Sequence, residues 1–133
     1  MKLLLDTHAF IWSLSETGKL PLGANDSITD TENEVFVSSV SFWEISIKAR
    51  NKRLAPIGHE PSTLVVAAEA MGFIPIPITP DDAATQGHLT EETHYDPFDR
   101  MLIWQAISRK LTLVSGDKEF RRFEKDGLKL LWG

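Results

Sequence analysis

Five carboxylates are conspicuous by position: Asp6, Glu44, Asp96, Asp99 and Asp117. Asp6 closes the apolar run Lys2-Leu3-Leu4-Leu5, and Asp117 closes Leu111-Thr112-Leu113-Val114 through Ser115-Gly116. On a helix, Glu44 falls within about 60° of the centre of the apolar side formed by Val40, Trp43 and Ile47. Asp99 shares the side of Leu102, Ile103 and Ala106. A carboxylate on an inward side is costly unless it is paired or holds a cation. Ordinary roles are available to each: Asp6, Asp96 and Asp117 are placed to cap helices, and Pro97 sits at the first helical position after Asp96. Asp99 in the first turn suits the helix dipole, and Lys48 offers Glu44 a partner four residues on. Gathered in one place, however, these acids raise one another's pKa values unless a hard divalent cation neutralises them. The chain has no cysteine, and its four histidines (His8, His59, His88 and His94) are dispersed, so Mg2+ or Mn2+ is indicated rather than zinc.

The elements that must deliver these side chains are legible in the patterning. Lys2 to Leu5 reads as a strand leading through Asp6 into a helix. Val35-Phe36-Val37 repeats the arrangement, with Ser38-Ser39 opening a helix from about Val40 to Asn51. Leu64 to Met71 reads as a helix ended by Gly72. Phe73 to Ile78 carries two prolines, which restrict it to an edge strand or an extended loop. A weak helix over Asp81 to Leu89 and a strong one over Pro97 to Lys110 precede the strand at Leu111 to Val114. A short charged helix through Phe123 and a strand over Leu128 to Trp132 follow. Strands alternating with helices predict an α/β layer fold with a mostly parallel sheet, because parallel strands need helical crossovers. In such sheets ligands bind beyond the strand carboxyl ends, where Asp6, Glu44, Asp99 and Asp117 are all able to face one crevice. Residues 54–61 form the one loop with the character of a hinge.

Composition sets the outer limits. With 133 residues, 42% hydrophobic and 25% charged, the chain has the make-up of a single globular domain rather than a disordered or fibrous one. The absence of cysteine removes disulfide and thiolate chemistry. No apolar run approaches ~20 residues, so a soluble, cytoplasmic protein without a membrane anchor is expected. The net charge of -5 opposes nucleic acid as a partner. Setting the five carboxylates aside as metal ligands leaves an even balance of charge.

The segments Leu3-Leu4-Leu5-Asp6-Thr7-His8, Ser38-Ser39-Val40-Ser41-Phe42-Trp43-Glu44-Ile45, Asp96-Pro97-Phe98-Asp99-Arg100 and Val114-Ser115-Gly116-Asp117 resemble, in order and spacing, the acidic motifs of PIN-domain ribonucleases. The nearest group is the VapC-type toxins of bacterial toxin–antitoxin pairs. The resemblance spans essentially residues 1–133. It implies a PIN-like three-layer fold and a Mg2+- or Mn2+-dependent endoribonuclease, dimeric and inhibited by a cognate antitoxin. Carried over by position, Asp6, Glu44 and Asp99 match the principal acidic site, Asp117 its more variable fourth acid, and Asp96 a ligand or helix cap. Where many relatives carry a basic residue just before the Asp-Pro-Phe-Asp-Arg run, this chain has Tyr95.

Thr7 and Ser115 are placed to hydrogen-bond the neighbouring carboxylates. Arg100, Lys48 and Lys118 are the candidate RNA contacts, together with the basic stretch Lys48, Arg50, Lys52, Arg53 and the pair Arg121 and Arg122. Phe42, Ile45 and Ala49 form a second apolar stripe on the Glu44 helix, suited to core packing or to a partner. Two other readings compete. A catalytically degenerate PIN-fold binding module would keep the fold without the metal. A phosphoryl-transfer domain also places Asp at strand ends, but Asp6 lacks the second Asp two residues on. A dinucleotide fold is excluded, since the glycines form no Gly-x-Gly-x-x-Gly turn.

Overall fold

A computed structural model describes residues 1–51 and 58–133. Lys52, Arg53 and much of the expected hinge at 54–61 lie outside the described residues. Five strands, β1 (Lys2–Leu5), β2 (Glu34–Ser38), β3 (Ile74–Ile76), β4 (Thr112–Val114) and β5 (Lys129–Leu131), form one sheet in the order β3-β2-β1-β4-β5. Every pairing is parallel, with Leu5 opposite both Val37 and Val114. The helices are α1 (Thr7–Ser15), α2 (Leu22–Thr29), α3 (Ser39–Arg50), α4 (Leu64–Ala70), α5 (Pro80–Thr85) and α6 (Pro97–Ser108). A 3-10 helix covers Lys118–Asp126.

The three-layer arrangement follows from β1, whose successive side chains point to opposite faces. Leu3 and Leu5 pack on one side with Phe10, Val35, Val37, Ile45, Leu64 and Phe73. Leu4 packs on the other with Leu102, Ile103, Leu113, Phe120 and Phe123. A strand buried on both faces reads as an unbroken apolar run, which is what Leu3-Leu4-Leu5 is. As its prolines predict, β3 is an edge strand.

Two expectations need correction. Trp43 does not face inward: it is 54% exposed, and the buried side of α3 is Val40, Ser41, Glu44 and Ile45. Ala49 is exposed too, so the second apolar stripe is only partly covered. The patterning also does not announce α2, which buries only Ala24 and Ile28.

The topology decides where a ligand can go. The chain winds from β1 outward to β3, then returns to β4 on the other side of β1. The crevice between β1 and β4 is therefore the point where the winding direction switches. Asp6 N donates to Val114 O at 3.0 Å, holding the two strand ends together there.

Candidate active site at the sheet switch point

Asp6, Glu44, Asp96, Asp99 and Asp117 all line a single open cavity of about 320 Å³. Three of the acids are fixed by the capping geometry read from the sequence. Asp6 Oδ1 accepts from Ala9 N at 2.7 Å, Asp96 Oδ1 from Asp99 N at 3.0 Å, and Asp117 Oδ1 from Glu119 N at 2.9 Å. Each of these caps engages one oxygen of the carboxylate.

Glu44 is 4% exposed. Its Oε1 accepts from Thr7 Oγ1 at 2.6 Å, and its Oε2 is paired with Lys48 one turn later. Thr7 Oγ1 also lies 3.1 Å from Ser41 Oγ, tying α1 to α3. Asp99 Oδ2 lies 2.9 Å from His94 Nε2. The His94 ring is wedged edge-on between Phe120 and Phe123, each 5.8 Å away between centroids. Ser115 is buried and accepts from Asp117 N at 3.1 Å.

Burial and crowding leave an electrostatic mark. Desolvation pushes the Asp6 carboxyl above its ordinary value, against the pull of Ser115, the Ala9 amide and His8, and the nearby Asp117 adds to the push. Asp99 is raised to about 6, first by desolvation and then by the charges of Asp96 and Glu44, despite its bond to His94. Asp117 thus acts on Asp6, and Asp96 and Glu44 on Asp99, as like charges that face one cavity.

The donor set is all oxygen, which suits a hard divalent ion. Among the described residues, no three acidic or imidazole side chains converge closely enough to hold an ion as they stand. Glu44 is turned to Lys48, and Asp99 to His94 through one oxygen.

The basic residues divide. Lys48 lines the cavity, and Lys118 and Arg121 line a polar cleft beside it that shares Gly116, Asp117 and Trp132. Arg100, expected beside RNA, points elsewhere. Its Nη1 donates to the carbonyls of Glu91 at 2.6 Å and His94 at 3.1 Å, and its guanidinium lies 5.8 Å from the Phe123 ring. It braces the loop that carries His94 and Asp96. Arg122 is engaged by Glu119 and Thr93, while Arg50 is exposed at the end of α3.

Several residues of the cavity have no counterpart in the sequence reading of the site: Trp12, Gly116, Phe120 and Trp132 line it as well. Gly116 alone carried a signal, as part of the Val-Ser-Gly-Asp motif. A separate apolar cleft of about 490 Å³ lies against Trp43, Ile78, Phe98 and Met101. At its rim Tyr95 is 81% exposed.

Comparison with known proteins agrees with this architecture. The PIN domain family matches residues 3–126. Ribonuclease VapC22 of Mycobacterium tuberculosis (strain ATCC 25618 / H37Rv) is 30% identical over 118 residues, covering 89% of this chain and 88% of that protein. The fold superposes on VapBC2 from Rickettsia felis, solved with a DNA fragment from the promoter of its genes, with a TM-score of 0.73 at 18% identity and full coverage of both chains. FitAB bound to the IR36 DNA fragment gives 0.63 at 14% identity, covering 97% of this chain and 93% of that one. A family match along nearly the whole length, on a parallel sheet whose switch point is lined by acids, makes this chain a member of the PIN-domain family.

Proposed function

We propose that the protein is a metal-dependent endoribonuclease that hydrolyses RNA phosphodiester bonds, acting in the cytoplasm as the toxin of a toxin–antitoxin pair. The observation that carries this reading is the meeting of five acids in one cavity at the switch point of a PIN-family chain related to a ribonuclease. Asp6, Glu44, Asp99 and Asp117 would hold Mg2+ or Mn2+, with Asp96 at the margin. Such an ion, when bound, lowers the pKa of water and stabilises charge on the attacked phosphate.

The chain's own residues position the reaction. Asp6 and Asp117 are held by the helix starts they cap, Glu44 by Thr7, and Asp99 by His94. Glu44 or Asp6, both buried, would orient the attacking water. Lys48 and Lys118 supply positive charge toward the RNA backbone. Thr7 and Ser115 fix the carboxylates against their mutual repulsion.

Protein partners belong to the same reading: a cognate antitoxin and a second copy of the chain. The unpartnered apolar cleft at Trp43 and Phe98 supports a surface covered by another polypeptide. Among the described residues no helix is long and apolar enough to cross a membrane.

The test is substitution without loss of fold. Asp6→Asn and Asp99→Asn are expected to abolish Mn2+-dependent RNA cleavage while circular dichroism stays native. Retained activity in either variant refutes the assignment. A catalytically silent binding module would instead show no heat of Mn2+ binding by calorimetry.

A further inference from the structure

One wall of the acidic cavity is aromatic. His8, Trp12 and Trp132 line it in a row, with ring centroids 5.6 Å apart from His8 to Trp12 and 6.0 Å from Trp12 to Trp132. Trp12, half-buried in the middle, also has Lys19 Nζ 5.9 Å from its ring. His8 is exposed and Trp132 is 38% exposed, so the two ends of the row are open to a ligand.

Trp132 is seated by close backbone approach. A Cβ at Gly116 would stand 2.6 Å from the Trp132 ring, and a Cβ at Gly23 would stand 1.6 Å from the carbonyl oxygen of Gly133. Two glycines thus let the segment after β5 lie down against the site. Core packing does not need an indole there, because the ring fills no part of either hydrophobic cluster.

Beyond Trp132 the cavity runs into the polar cleft lined by Lys118 and Arg121. Both are exposed, and neither is in an ion pair among the described residues. The acids, the aromatic face and these two cations, with Glu124 also in the cleft, therefore adjoin one another around Gly116, Asp117 and Trp132. Such neighbours suit a nucleotide chain: a phosphate at the acids, a base on the ring and the next phosphate on the cations.

We propose that Trp132, backed by Trp12 and His8, is a stacking subsite for one unpaired nucleobase next to the cleaved phosphate, with Lys118 and Arg121 holding the following phosphate. The inference rests on the ribonuclease reading and adds to it the residue that receives a base beside the cleaved phosphate; a base inside a duplex has no free face to offer it.

The experiment measures Kd by fluorescence anisotropy for a short labelled single-stranded RNA, in low salt with EDTA to prevent cleavage. An abasic nucleotide is moved along the strand. For the unaltered protein, affinity should fall about tenfold when the abasic nucleotide occupies one position. Trp132→Ala should lose a similar factor on intact RNA and lose nothing more at that position, while Trp132→Phe keeps most of the affinity. Replacing Lys118 and Arg121 together by Gln should lower the salt dependence of log Kd by about one phosphate contact. Equal binding at every abasic position overturns the subsite, and this arm does not depend on any variant folding. Additive losses for Trp132→Ala and the abasic nucleotide also overturn it. If the unaltered protein cleaves RNA with Mn2+ yet is indifferent to the abasic scan, only the stacking subsite falls. If it does not cleave RNA at all, the underlying reading falls with it.

Discussion

Thr7 Oγ1 donates to Glu44 Oε1 at 2.6 Å, so the first residue of α1 holds the carboxylate that α3 brings to the cavity. Thr7→Val keeps the shape of the side chain and removes the donor, leaving a buried carboxylate oxygen short of a partner at a cost of about 1–3 kcal/mol. Affinity for Mn2+ is expected to fall roughly tenfold, and Thr7→Ser should restore it. Calorimetric titration of the three proteins decides the matter. Unchanged affinity in Thr7→Val would detach Thr7 from the site.

Asp99 holds its proton to about pH 6 in the folded protein, against an ordinary value of 3.8. The native state thus binds this proton more tightly than the unfolded chain does. The stability it contributes is complete below about pH 4 and is lost as the pH rises through 6. Asp99→Asn cannot ionise, so in EDTA it should be more stable than the unaltered protein at pH 8, by on the order of 1 kcal/mol after solvent screening, and no more stable at pH 4. Urea denaturation at the two pH values checks this, and a pH-independent difference contradicts it.

Asp82 behaves in the opposite sense. Burial pushes its carboxyl up, but hydrogen bonds from Arg109, the Thr79 amide and Gln105 outweigh it and hold the group at about 2. Arg109 grips both oxygens, at 3.0 and 2.9 Å. This stabilisation is present above about pH 4 and disappears as the pH falls toward 2. Asp82→Asn should cost roughly 2–4 kcal/mol at neutral pH and flatten the acid limb of the stability profile. An unaltered acid limb in that variant would assign acid unfolding to other carboxylates.

Gly116 is fixed by the Trp132 ring rather than by its own backbone. Gly116→Ala should displace that indole and cost about 1–3 kcal/mol, with a change in tryptophan emission. If stability and emission both stay as they were, the ring swings aside freely and is not seated by this contact.

The sheet was readable wherever a strand is buried on both sides, because Leu3-Leu4-Leu5 and Leu113-Val114 cannot be left in water. The caps at Asp6, Asp96 and Asp117 were readable because an acid before a helix has a local reason to be there. What escaped depends on tertiary contact. The 100° periodicity put Glu44 inward but counted Trp43 to the same apolar side as Val40 and Ile47, and only the tertiary partner Thr7 shows that the buried side turns toward Glu44 and away from the ring. Arg100 looked free because its partners are main-chain carbonyls, which carry no side-chain signature. Trp132 reaches the site through the absence of side chains at Gly23 and Gly116, distant positions that no local pattern connects to it.

Both outer strands of the sheet are three residues long, and β3 has Pro75 at its centre. Rims so short, one of them interrupted by a residue without an amide hydrogen, give a foreign strand little to zip onto. Fibril-like stacking along either rim is thereby discouraged.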